Sequence, residues 1–170
     1  MNHEYYMKEA LGLAETALKE GEFPVGAILV FKNEILATGT RKGTAGDLAN
    51  EVDHAEITAL RNLAGRKDFD GIDRQKITIY CTMEPCLMCF GAILLSGIGN
   101  IVYAYEDAMG GGTKIDQKSL SPLYKESKIS IISGILRRES LAIFKAYFSN
   151  PSNSYWKGSL LADYTLSQKQ

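Results

Sequence analysis

Residues 77–96 read ITIYCTMEPCLMCFGAILLS, and the change of pattern inside this stretch decides the fold. Residues 77–81 form a short, apolar, β-prone run of the kind that makes a buried strand. Pro85 suits the first turn of a helix, where its missing N–H costs nothing. Residues 86–96 then carry small and apolar side chains on every side. A helix of that kind is normally covered all round, here by a sheet and by a second subunit. A buried strand running into a buried helix is one unit of a layered α/β domain.

The same alternation continues on both sides. Residues 2–20 have Tyr6, Ala10, Leu13, Ala17 and Leu18 near helical spacing, with Gly21 as a stop. Residues 25–31 and 35–38 are apolar β-prone runs, and Lys32-Asn33-Glu34 between them predicts a hairpin. Residues 41–52 are polar with two glycines and predict a loop. Residues 54–64 predict a helix through Ile57, Leu60 and Leu63, ended by Gly65. Further strands are expected at 101–105 and 129–133, with Gly110-Gly111-Gly112 in a flexible loop between them. A helix is expected at 136–148 with Leu141, Phe144 and Phe148 inward. After a turn-rich break at 149–154, residues 159–167 predict a last short helix. The expectation is one α/β domain over residues 1–170, with 150–170 as a C-terminal extension.

The chain has 170 residues, 45% hydrophobic and 23% charged, which is ordinary for a soluble globular protein. A formal net charge of -1 gives no global attraction to nucleic acid, although a local basic patch is still compatible with it. Glu4, Lys8 and Glu9 stand where a signal peptide needs an apolar core. The most apolar run, residues 91–98, is far too short to span a bilayer. These features predict a soluble, cytoplasmic chain with no membrane partner. Two of its three cysteines, Cys86 and Cys89, sit one helical turn apart, which suits a metal site better than a disulfide framework.

The chemistry is expected from two short motifs, His54-Ala55-Glu56 and Glu84-Pro85-Cys86-Leu87-Met88-Cys89. Residues three apart on a helix share a face, so Cys86 and Cys89 can grip one ion. The start of a helix also favours thiolates. With a neutral nitrogen from His54, the donor set suits Zn2+ and leaves a fourth position for water. Zinc lowers the pKa of a bound water from about 15.7 to roughly 7. Glu56 is then placed to move protons without binding the metal. The competing readings are a closed structural zinc site, a zinc-stabilised binding module and a thiol redox pair. A closed site lacks an obvious fourth ligand, since Cys81 lies in an apolar strand. A redox pair leaves the His54 motif unexplained.

His-x-Glu followed by Pro-Cys-x-x-Cys is the signature of zinc-dependent base deaminases. Through residues 22–27 (EFPVGA), the His54 motif and residues 82–93 (TMEPCLMCFGAI), the chain resembles the cytidine and deoxycytidylate deaminase superfamily. The resemblance is greatest to the branch holding bacterial tRNA adenosine deaminases, guanine deaminases and yeast-type cytosine deaminases, and runs from about Glu4 to Tyr105. It implies a cytidine deaminase-like fold, a three-layer α/β/α domain with a mixed five-stranded sheet. It also implies a homodimer, zinc on His54, Cys86 and Cys89, and a catalytic Glu56. Glu84 is implied beside the leaving amine or base edge, the alternative being a first-turn acid favoured by the helix dipole; Pro24 and Val25 are read as pocket wall, the alternative being strand entry and core.

The chain departs from that branch in three places. Gly39-Thr40-Arg41 stands where the branch usually has Gly-x-Asn, so a residue that only donates replaces one that donates and accepts. This points to an acceptor-rich or anionic substrate group, unless Arg41 turns to solvent. The Asp-x-Lys-x-Gly-Ala segment and arginine-rich last helix of the tRNA enzymes are missing. Tyr155 and Trp156 stand near the end instead, as C-terminal aromatics do in the free-base enzymes, where they cover the pocket; the alternative is that Trp156 is ordinary packing. These departures put a free base or nucleoside first as substrate, with adenosine-to-inosine conversion in tRNA as the alternative.

Overall fold

A computed structural model describes residues 2–46 and 49–169. Asp47 and Leu48, in the loop expected at 41–52, lie outside the described residues. The helices are α1 (His3–Lys19), α2 (Ala55–Ala64), α3 (Leu87–Leu95), α4 (Pro122–Lys125), α5 (Arg137–Ser149) and α6 (Leu160–Ser167). The strands are β1 (Gly26–Phe31), β2 (Glu34–Thr40), β3 (Thr78–Met83), β4 (Asn100–Tyr105) and β5 (Ser130–Ile132). They form one sheet in the order β2-β1-β3-β4-β5. β1 runs antiparallel to β2 and β3, whereas β3, β4 and β5 are mutually parallel. This is the mixed five-stranded sheet expected.

Side chains alternate across the sheet, and so divide the core in two. Ala27, Leu29, Ile79, Cys81 and Ile101 face α2 and α3. Ile28, Val30, Tyr80 and Val102 face the other way, where Tyr6, Met7 and Ala10 of α1 and Ile143 of α5 cover them. The β1–β2 turn places Lys32 and Asn33 at φ 49° and 68°, the left-handed pair that matches strand twist in a tight hairpin. α2 sits directly on β2 because Gly39 has no side chain. A Cβ there would lie 2.1 Å from the Ala55 carbonyl oxygen, so any larger residue forces the helix away.

Three elements differ from expectation, the first being the one-turn helix α4, where only a loop was expected. β5 is only three residues long and exposed along its whole length, since it closes the sheet's edge. The glycine loop is tied down rather than loose. Gly112 N donates to the Pro85 carbonyl (2.9 Å), Gly111 N to the Asp107 carbonyl (3.2 Å), and Gly111 bridges to Cys86. A Cβ on Gly111 would meet the Glu84 carboxyl at 2.6 Å. These glycines allow a close approach of backbone to the Cys86 turn, and the spacing of a phosphate loop is not involved.

Candidate active site

His54 and Cys86 are the N-cap residues of α2 and α3, and both have extended backbone (ψ 156° and 170°). Neither side chain caps its helix. Both are therefore free to face the gap between the two helix starts, where Cys89 arrives from the first turn of α3. One nitrogen and two sulfurs from these residues lie within 4.8 Å of one another. Cys86 Sγ is 3.5 Å from His54 Nδ1.

The donor set fits a divalent cation chemically. A hydrogen bond from Cys89 brings the Cys86 thiol down to about 4, against the opposing effect of burial. The same hydrogen bond, together with burial, pushes Cys89 far up. The buried Cys89 sulfur and the half-buried Cys86 sulfur thus hold one proton between them, and a bound cation can replace that proton while keeping both as thiolates. Burial alone would depress His54, but the hydrogen bond with Cys86 and the charge of Glu56 raise it. Cys81 is fully buried in β3 and its thiol is pushed well up by burial, which keeps it in the core.

Glu56 lies in the first turn of α2, only 3% exposed. Burial raises its carboxyl to about 7. A carboxyl in that range gains and loses a proton near neutral pH, which is what general acid–base work requires.

These groups open onto a cavity of about 280 Å³ whose wall includes Phe23, Val25, Arg41, His54, Glu56, Glu84, Cys86, Tyr155 and Trp156. The volume is near the small end of the roughly 300–1,000 Å³ typical of ligand pockets. Of the residues expected on the wall, Val25, Arg41, Glu84 and Trp156 are there, whereas Pro24 is buried between two wall residues without being one. The Glu84 carboxylate accepts from Asp107 N (3.2 Å) and Thr113 N (3.3 Å), so it anchors the glycine loop at the cavity edge. Arg41 does not turn to solvent. It is 2% exposed, and its Nη2 donates to Tyr155 Oη at 3.0 Å. Tyr155 Oη in turn donates to Glu51 Oε2 at 2.8 Å.

Residues 1–105 match the family model for the cytidine and deoxycytidylate deaminase zinc-binding region. The chain belongs to this deaminase family. It is 36% identical over 148 residues to the tRNA-specific adenosine deaminase of Buchnera aphidicola subsp. Schizaphis graminum, covering 86% of this chain and 93% of the relative. To the tRNA-specific adenosine deaminase of Bacillus subtilis it is 31% identical over 145 residues, 85% of this chain and 88% of the relative. A solved structure from work on A-to-I editing by tRNA:A34 deaminases has a TM-score of 0.63 and 27% identity, covering 82% of this chain and 98% of that one. The fold is also shared with the guanine deaminase of Nitrosomonas europaea, at a TM-score of 0.65 and 23% identity over 85% of this chain and 83% of that one. The mixed sheet flanked by helices described above is thus shared with structures of related deaminases.

Local spacing did not reveal Glu51 or Phe23 as wall residues. Phe23 stacks edge-on to Tyr155 at 5.4 Å between ring centres. The signal available in sequence was the aromatic pair near the C-terminus, which marked Tyr155 without indicating what it touches.

Proposed function

We propose that the chain removes an exocyclic amine from a nucleobase by hydrolysis, with Zn2+ held by His54, Cys86 and Cys89. The observation that carries this reading is the buried Glu56 carboxyl beside the three converging donor atoms. When bound, zinc supplies a Lewis acid that lowers the pKa of a coordinated water to roughly 7. The oxygen of water bonds to the ring carbon that carries the amine. Glu56 takes a proton from that water and gives one to the adjacent ring nitrogen. It then takes the remaining proton from the new hydroxyl and passes it to the amine, the C–N bond breaks, and ammonia leaves while the ring keeps a carbonyl. The wall formed by Val25, Phe23 and Tyr155 excludes water from the other side of the ring.

Adenosine in tRNA is the substrate best supported by the relatives, which match most of this chain and are named for that reaction. This reverses the order expected from sequence, where a free base or nucleoside came first. A second reading, a small free ring, is supported by Tyr155 and Arg41 closing the cavity from opposite ends of the chain. The position of α3 supports a homodimer. Leu87 and Leu95 are 59% and 62% exposed on an otherwise apolar helix, a face that a second copy would cover. Among the described residues no helix is long and apolar enough to cross a membrane, and we take the cytoplasm as its place of action.

Ammonia release from zinc-loaded protein, measured on bases, nucleosides and unmodified tRNA, tests both readings together with inosine formation in the RNA. Activity on tRNA that falls steeply with salt is the expected result for the first reading, because phosphate contacts release counterions. Activity on a free ring with none on tRNA would replace it by the second. Glu56→Gln should retain zinc and lose about 10²–10⁴-fold in turnover; near-normal turnover would move proton transfer elsewhere.

A further inference from the structure

Arg41 is the buried cation that the mechanism does not use. Its Nη2 is satisfied by Tyr155 Oη, with Glu51 Oε2 at 3.4 Å, and its guanidinium lies over the Tyr155 ring, 5.6 Å from the centroid. Nη1 is the one buried side-chain nitrogen or oxygen without a hydrogen-bond partner among the described residues. Leaving such a donor unmet costs stability, more so on a charged group. Glu51 offers limited compensation because it is 56% exposed and interacts mostly through solvent. Arg41 also lines the cavity shared with Glu56 and the three donor residues. A buried, charged, donor-only group with an unmet N–H, in a wall whose other ionisable residues include Glu51, Glu56, Glu84 and Asp107, is placed to meet an acceptor on what enters the cavity.

We propose that Arg41 selects rings that carry an acceptor oxygen in addition to the amine being removed, through a hydrogen bond from Nη1. The oxygen is either a ring carbonyl or an ionised substituent. Adenine offers ring nitrogens but no such oxygen, so this selection sides with the second reading, a small free ring, over adenosine in tRNA. It rests on the reading of this cavity as the deaminase pocket. Tyr155 and Glu51 act as positioning residues, since they hold Nη2 and so aim the other nitrogen.

The test is calorimetric binding to zinc-loaded protein carrying Glu56→Gln, so that turnover does not consume the ring. Cytosine and 4-aminopyrimidine share the amine and differ by the carbonyl; 4-aminopyrimidine-2-carboxylate supplies the ionised alternative. The expected result is at least about tenfold tighter binding of one oxygen-bearing ring than of 4-aminopyrimidine, the scale of one charged hydrogen bond. Arg41→Met should abolish that ratio, while Arg41→Lys should keep part of it. A preference for the carboxylate that weakens with salt identifies an ionised group as the partner; a salt-independent preference for cytosine identifies a carbonyl. Equal binding of all three rings by the protein with Arg41 intact would overturn the proposal, and that comparison needs no further variant to fold. An unchanged ratio in Arg41→Met would overturn it as well. Ammonia release by the chain with Glu56 intact judges the deaminase reading separately.

Discussion

Arg41 Nη2 and Tyr155 Oη lie 3.0 Å apart although 114 residues separate them in sequence. The bond joins the end of the second strand to the segment before the last helix, and it closes one wall of the cavity. Tyr155→Phe removes the accepting oxygen while keeping the ring that packs on Phe23. We expect KM to rise about five- to tenfold with kcat within about twofold, since uniform binding is lost and the reacting groups are untouched. Steady-state kinetics on the substrate found by ammonia release checks this. Truncation before Ser154 is a poorer test, because it also removes Leu161 and Thr165, which are buried against the core.

Cys89→Ser should lose most bound zinc, measured by atomic absorption against about one ion per chain, because a three-residue site tolerates ligand loss poorly. Cys81→Ser should keep its zinc but lose about 1–3 kcal/mol of stability in urea unfolding, as a hydroxyl enters the apolar face of β3. Zinc loss in the second variant would bring Cys81 into the ligand set.

Gly111→Ala places a methyl group where the Glu84 carboxyl now lies. Either the glycine loop or Glu84 must move, which costs about 1–3 kcal/mol. The expected readout is a lower denaturation midpoint and weaker activity with zinc content retained. A variant as stable and active as the parent would show that this contact is easily relaxed.

Glu106 ties the end of β4 to α5 and α6. Burial pushes its carboxyl up, but hydrogen bonds from Arg137 and Tyr164 outweigh this and hold it at about 2, below the ordinary 4.5. A depressed folded-state value contributes stability that is complete above pH 4.5 and is lost as pH falls from about 4.5 to about 2. Glu106→Gln should therefore be less stable than the parent at pH 7, by no more than about 1 kcal/mol because the pair is partly solvated. The two should converge as pH falls through that window, in urea unfolding at each pH. A gap that persists at pH 3 would assign the cost to packing.

The sequence by itself determined most of the elements and the candidate reacting groups. Hydrophobic period placed α1, α2, α3, α5 and α6 and strands β1 to β4 within a few residues, because each buries one face or all faces in a repeating way. His54, Glu56, Cys86 and Cys89 were legible because zinc chemistry requires fixed residue types at short spacing, and one helical turn brings the cysteines together. The short edge strand β5 was placed by sequence but not its exposure, since an edge position depends on the order of strands. Only the tertiary structure decided that Arg41 is buried, that Tyr155 and Glu51 engage it, and that the glycines pack on Glu84 instead of forming a loose loop. Those facts arise from contacts between segments far apart in the chain, and neither local period nor residue type encodes which distant surface a side chain will meet.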